Sequence, residues 1–521
     1  MTTPAFRPTF GRAIRSTLVL LLLSVLASGP ASAQEGSYRL ERQDAQGRPS
    51  SGLLVVTRGP AGLRYERRTR DTLDVPCVVE RGSARLDGGA LVLTPEQTGL
   101  AGAISGGSAA DVRFAPDGAG FARAGERLVA IPAAQAGNDV RLLVDSEAFA
   151  SVRAEVRAAT SSVDFQVFHY ADDATGRSIA DALKERAAAG VPVRLLVDAQ
   201  SKTIGKLVHG KAHVDIVDGL DAELRQAGVQ VVLQHGRKEE LRGTFKRLGR
   251  KFSNLVERIR GRTPSPTENR GFNIHDHRKY TVIDQRVGFL GGQNVGVDYE
   301  SKWHDVQVRL EGPAVTALRD LFADRWQAAG GAASTVAPRA QAGAGDVQVE
   351  VLGYVPGLAD PIQARYLTEL RAARDAKLAL AFVDDDEALE ALTDVARRGG
   401  KAVLLVPNDA EHVNVVVRDA LLWVLNDMTR AGVEIYKLDR MLHLKLGLFD
   451  GETTIVGSDN LSGSNLAESV AVVTDPRFAR VVQARLFDVD LPRSTKHVVR
   501  KLTFGERARS FAMRFIVRHI F

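Results

Sequence analysis

Eighteen residues starting at His277, HRKYTVIDQRVGFLGGQN, return 166 residues later as HLKLGLFDGETTIVGSDN, starting at His443. Both copies keep the spacing His-x-Lys-x4-Asp-x6-Gly-(Gly/Ser)-x-Asn, so the chain must fold in a way that uses one short pattern twice. Flanking segments repeat as well: "RAAAGVPVRLLVD" (186–198) matches "ARRGGKAVLLVP" (396–407), and "LRQAGVQVV" matches "MTRAGVEIY". The offset is 209 residues between Gly190 and Gly399, 204 between Gly228 and Gly432, and 166 at the motif. That drop of 38 residues places an insertion in the first copy, between Gly228 and His277.

Alternation at period two puts His277 and Lys279 on one face of a strand, and His443 and Lys445 likewise, with Leu444, Leu446 and Leu448 turned into the core. Asp284 and Asp450 end these strands, and "DG" at 450–451 is a hairpin signal. The returning strands, "RVGFL" and "TTIV", bring Asn294 and Asn460 back beside the histidine and lysine. Outside the motif, "VDFQVFHY", "GRSIADALKERAAAG" and "VPVRLLVDA" read as strand, helix and strand. The expected fold class is α/β, with two similar lobes, each a mainly parallel or mixed sheet flanked by helices. Residues 34–137, short β-branched runs between glycine-rich turns, predict a preceding small β-rich domain with no catalytic constellation of its own. The lobes are expected at 138–327 and 346–492, joined by a small-residue linker at 328–345.

This pattern points to phosphorus chemistry. A neutral imidazole can attack phosphorus, and a second can protonate the departing oxygen. Lysine and asparagine supply positive charge and N–H donors where negative charge develops. A competing reading takes His275, Asp276 and His277 as a metal cluster. Successive strand residues point to opposite faces, and two histidines fall short of the usual three or four ligands, so no metal and no other cofactor is expected there.

The paired His-x-Lys-x4-Asp motif resembles that of the phospholipase D superfamily, over roughly residues 138–490. The resemblance implies facing motifs, a covalent phosphohistidine intermediate and no required metal. "GFNIHDHRK", "FLGGQNVGVDY", "WHDVQVRLEGP" and "AGVEIYKLDRMLHLK" are similar to bacterial cardiolipin synthases, which more often carry Arg where this chain has His275. The resemblance identifies His277, Lys279, Asp284 and Asn294, with His443, Lys445, Asp450 and Asn460, as the catalytic set. It adds an acid after each asparagine, Asp305 and Glu468, to orient a histidine. Gly292, Ser458 and His275 are assigned to the substrate side. By likeness His277 is the nucleophile and His443 the acid, then the base.

Arg7, Arg12 and Arg15, the run "STLVLLLLSVLASG" and the small residues ending at Ala33 describe a secretory signal over 1–33, with an uncleaved membrane anchor as the alternative, and the expectation is an exported protein, periplasmic or secreted. Cys77 is the sole cysteine, so no intrachain disulfide can form. The formal charge of +6 is unevenly spread, because segments 237–262 and 493–521 each carry a net +7. Within the insertion 236–262, Leu241, Phe245, Leu248, Phe252, Leu255 and Ile259 form an apolar helical stripe among arginines and lysines. Phe504, Ala508, Phe511 and Phe515 do so in the tail. Basic amphipathic helices suit an anionic phospholipid membrane surface. The expectation is a peripheral membrane-surface phosphatidyltransferase or phospholipase acting on a phospholipid. A secreted nuclease acting on nucleic-acid phosphodiesters is the alternative enzyme, and a lipid-binding scaffold the non-enzymatic one.

Overall fold

The computed structural model describes residues 36–43, 49–59, 62–70, 78–100, 103–106, 110–117, 120–123, 126–130, 134–199, 201–209, 213–234, 275–332, 334–337, 339, 341–354, 360–408, 424–462 and 466–510. The expected signal segment, Cys77, the basic insertion 236–262 and tail residues 511–521 lie outside them.

One unit reaches residue 131. Its strands are β1 (Gly36–Gln43), β2 (Pro49–Gly59), β3 (Gly62–Arg70), β4 (Val78–Asp87), β5 (Ala90–Leu100), β6 (Ala103–Gly106), β7 (Val112–Asp117), β8 (Gly120–Arg123) and β9 (Glu126–Ala130). They run β4-β3-β2-β1-β9-β8-β7-β5-β6, and β4 also pairs with β5, which closes eight of them into an antiparallel barrel. Closure removes the exposed edges that an open sheet of this length would offer. Alternate residues fill the interior, among them Leu54 and Val56 on β2, Leu91 and Leu93 on β5, and Phe114 on β7.

The second unit holds both copies of the repeat. The first lobe comprises β10 (Gln135–Val144), β11 (Val163–Val167), β12 (Val193–Asp198), β13 (Gln230–Gln234), β14 (His275–Asp276), β15 (Tyr280–Ile283), β16 (Val287–Gly291) and β17 (Val306–Glu311). The second comprises β18 (Val347–Tyr354), β19 (Asp375–Leu380), β20 (Lys401–Pro407), β21 (Glu434–Leu438), β22 (Lys445–Phe449), β23 (Thr453–Gly457), β24 (Leu466–Thr474) and β25 (Ser494–Lys496). Pairing runs β13-β12-β11-β15-β16-β17-β10 in one and β21-β20-β19-β22-β23-β24-β18 in the other. The first three strands of each series are mutually parallel and the rest antiparallel. These are two mixed sheets of one topology. Both faces are covered, and β11, β12, β15 and β16 are buried throughout.

Two features differ from the sequence expectation. β10 begins at Gln135, three residues ahead of the expected boundary, because the Gly137–Asn138 stretch that looks like loop is an irregular start of a strand paired with β18. Segment 328–345 is also no free tether. β18 pairs with both β10 and β24, so a single sheet runs through both lobes. Gln285 ties the segment down, donating to Ala337 O (2.8 Å) and accepting from Arg339 N (2.9 Å). One apolar core spans the junction, with Leu290, Val308 and Leu318 of the first lobe in the same cluster as Leu446, Val456 and Val473 of the second. Truncating such a leucine to alanine costs about 2–5 kcal/mol.

Candidate active site

The two motifs meet through an exchange of backbone between lobes. β14 pairs in parallel with the start of β24, and His277 N donates to Ala467 O (3.0 Å). On the other side His304 bridges Leu442 in parallel, and His443 N donates to His304 O (2.8 Å). Each histidine is thereby laid beside the acid of the opposite copy. His277 Nδ1 lies 2.8 Å from Glu468 Oε1, and His443 Nδ1 lies 2.6 Å from Asp305 Oδ2. With the carboxylate as acceptor in each pair, Nδ1 carries the proton that points at it and Nε2 is the other ring nitrogen.

Burial sets the protonation states. Burial lowers His277 to about 4 against the raising effect of Glu468, so its imidazole is neutral at pH 7. Asp305 is pushed up to about 7 by burial, opposed by the Lys445 charge. Lys445 is lowered to about 8 by burial, and Lys279 is lowered further for the same reason. Both lysines are almost fully buried, and each donates to the carbonyl of the histidine two residues before it, Lys445 to His443 O at 2.5 Å. Burial disfavours the charged form of both amines, and a bound anion would favour it again, so the pair is suited to holding an anion.

The asparagines differ between copies. Asn294 Oδ1 accepts from His169 N (3.2 Å), and its amide reaches the hydroxyl of Tyr299. Asn460 Oδ1 is buried without a hydrogen-bond partner among the described residues. Aromatic rings wall the site, with Phe168 edge-on to His277 (4.9 Å) and both Tyr299 (5.5 Å) and Trp303 (5.2 Å) against His443.

Several expected site residues take other roles. Asp284 and Asp450 are turn residues rather than catalytic ones. Each sits at positive φ (52° and 51°) at the far end of its hairpin, with its carboxylate spent on backbone. Asp284 accepts from the N–H groups of Thr160, Ser161 and Ser162, and Asp450 from those of Arg374 and Asp375. Gly292 and Ser458 lie against the orienting acids. A Cβ at Gly292 would fall 2.5 Å from Asp305 Oδ1, and Ser458 Oγ donates to Glu468 Oε2 (2.5 Å). His275 stays partly exposed and lies 3.3 Å from Asp198 Oδ1. The carboxylate of Asp276 is engaged by Arg278 and Arg325, both at 2.6 Å, which removes it from any joint site with His275 and His277.

One supporting network has no sequence signal, because its members are scattered. His304 is held between Asp145 (2.9 Å) and Asp490 (3.0 Å). Burial alone would lower it, but the hydrogen bonds it donates to these two acids raise it to about 9. Asp145, at φ 53°, also accepts from Asp305 N (3.1 Å) and from Arg440 Nη1 (2.8 Å). The chain position of Asp305, and through it His443, rests on this network.

With this geometry in view, the comparisons with known proteins agree. The family model described as "Cardiolipin synthase, PLD-like domain" matches residues 152–326 and 367–488. Cardiolipin synthase A of Pseudomonas aeruginosa (strain LESB58) is 31% identical over 366 residues, which are 67% of this chain and 66% of that protein. Cardiolipin synthase A of Pseudomonas fluorescens (strain SBW25) is 30% identical over 370 residues, 68% of each chain. The match to the first thus spans just under two thirds of its length. Among solved structures, the phosphatidylserine synthase of Haemophilus influenzae Rd KW20 superposes with a TM-score of 0.49 at 10% identity, covering 73% of this chain and 93% of that one.

Proposed function

Because the chain belongs to the cardiolipin synthase family of phospholipase D-like domains, we propose that it transfers phosphatidyl groups between alcohols through a phosphohistidine on His277. His277 Nε2 attacks the phosphorus of a phospholipid diester, forming the P–N bond as the P–O bond to the leaving alcohol breaks. His443 Nε2–H delivers its proton to that departing oxygen. The acceptor alcohol then gives its proton to the now neutral His443, attacks phosphorus, and releases His277. With phosphatidylglycerol as acceptor the product is cardiolipin, and with water it is phosphatidic acid.

The observation that carries this reading is the crossed pairing of His277 with Glu468 and His443 with Asp305. It turns Nδ1–H of each imidazole to a carboxylate, so the neutral His277 offers a bare Nε2 for attack, while a doubly protonated His443 carries on Nε2 the proton that it delivers. Lys279, Lys445, Asn294 and Asn460 are the groups available to charge on the non-bridging oxygens. No described helix is long and apolar enough to cross a membrane. In the tail, the helix over 504–510 carries Phe504, 88% exposed, beside basic residues, which supports peripheral attachment to an anionic bilayer. On this reading the protein works outside the cytoplasm at a membrane surface.

Incubating the full chain with phosphatidylglycerol vesicles, phosphatidylcholine vesicles and DNA, then identifying the products, tests the assignment. Cardiolipin or phosphatidic acid from the lipid arms is expected. Cleavage of DNA alone would overturn it in favour of a nuclease.

A further inference from the structure

Away from the reacting pair, β11 leads into His169, and the helix over Ser201–His209 is followed by His213 and Asp215. These three side chains converge on one point. His169 Nε2 and His213 Nε2 lie 3.0 Å apart, and Asp215 Oδ2 stands 3.8 and 3.7 Å from them. The two longer distances exceed a hydrogen bond, whereas the point equidistant from all three atoms lies about 2 Å from each, the length of a bond from zinc to imidazole or carboxylate. From this geometry we propose that His169, His213 and Asp215 bind one divalent transition-metal ion of the zinc and cobalt class.

Further observations fit an ion. His169 and Asp215 are almost fully buried, as a closed ligand set requires. The ligating oxygen is itself oriented, since Ser201 Oγ donates to Asp215 Oδ2 (2.5 Å) while Oδ1 accepts from Val217 N (3.2 Å). Gly205 lets its helix pack close against the ring pair, because a Cβ there would fall 2.3 Å from His213 Nε2 and 2.7 Å from His169 Nε2. A cavity of about 190 Å³, bordered by both histidines, Asp173, Asp298 and Tyr299, adjoins the cluster. It gives room for water in a fourth coordination position.

The site is separate from the reacting histidines but touches their wall. Tyr299 lies between His169 (5.7 Å between ring centres) and His443 (5.5 Å), and His169 N donates to Asn294. An ion here would fasten the segment 201–215 to the strand end that positions Asn294, and no step of the phosphoryl transfer runs through it. Sequence spacing could not show the site, since its ligands are 44 and 2 residues apart and belong to no repeated motif.

Tag-free full-length protein, stripped with chelator and titrated with Co2+, tests the proposal by visible absorption, with Zn2+ as competitor. One equivalent of cobalt with the d–d bands of a four- or five-coordinate site, displaced by one equivalent of zinc, is expected. His213→Ala and Asp215→Asn should each weaken binding at least a hundredfold, and Ser201→Ala by roughly ten- to hundredfold. His277→Ala should bind as the parent does. Should His213→Ala fail to fold, as judged by circular dichroism, the Ser201→Ala affinity decides. Absence of stoichiometric uptake, an unchanged Ser201→Ala affinity, or loss of the bands in His277→Ala would overturn the site.

Discussion

His277 and Glu468 are 191 residues apart in sequence and 2.8 Å apart in space, with the acid of the second copy serving the histidine of the first. His443 and Asp305 repeat the relationship in reverse at 2.6 Å. Neither lobe therefore supplies the acid for its own motif histidine, and both of these pairs exist only when the lobes share their sheet.

The two acids should act on different half-reactions. Glu468→Gln, which lets His277 take the wrong tautomer, should lower phosphoenzyme formation roughly 10³- to 10⁴-fold, by analogy with loss of the acid from a serine-protease triad. Asp305→Asn should lower turnover of a phospholipid similarly, yet leave the first step largely intact when the leaving group is an acidic phenol that needs no proton. Single-turnover kinetics on both substrates would show the split. Equal losses in both variants on both substrates would contradict it.

The motif aspartates should matter for folding rather than rate. Asp284→Ala removes an acceptor for three backbone N–H groups at a positive-φ turn, and should cost about 2–3 kcal/mol in urea unfolding. Its kcat, corrected for the folded fraction, should stay within a few-fold of the parent. A large fall in kcat with unchanged stability would return Asp284 to the reaction.

Stability should fall on the alkaline side because of His304. Its folded-state value, about 9, lies above its ordinary value near 6.5, so the native state holds a proton that the unfolded chain releases. The contribution is complete below about pH 6.5 and is lost as pH rises through 9. Urea midpoints across this window should decline for the parent and flatten in His304→Gln. Parallel profiles for the two would contradict the assignment.

Membrane attachment should depend on the tail. Phe504 is the most exposed large apolar side chain among the described residues, and inserting it into a bilayer should contribute about 1.5–3 kcal/mol. Phe504→Ser should weaken binding to phosphatidylglycerol vesicles roughly ten- to hundredfold in co-sedimentation. Added salt should weaken the parent further. Equal partitioning of parent and variant would remove the tail from the interface.

The repeat and the strand alternation made the lobes, the hairpins and the side-by-side histidine and lysine of each motif legible, because they depend on local spacing. Gly190 and Gly399 even share their backbone angle, with φ of 81° and 80°. The exchange of acids was not legible, since matched spacing cannot say whether Glu468 serves the histidine of its own copy or the other. The contacts of Gly292 and Ser458 with the acids are not legible for a related reason. Proximity to the motif in sequence does not show that they lie against the acids. The Asp145–His304–Asp490 network joins residues 159 and 186 positions apart and carries no pattern at all.

The central claim is that His277 and His443 divide nucleophile and acid between two lobes. It is tested most directly by mass spectrometry of acid-labile phosphate on His443→Ala after brief exposure to a nitrophenyl phosphodiester. Without a base to activate the acceptor, phosphate should accumulate on His277 at about one equivalent, while turnover of phosphatidylglycerol is abolished. Phosphate on another residue, no covalent adduct, or substantial phospholipid turnover by His443→Ala would contradict the two-histidine account.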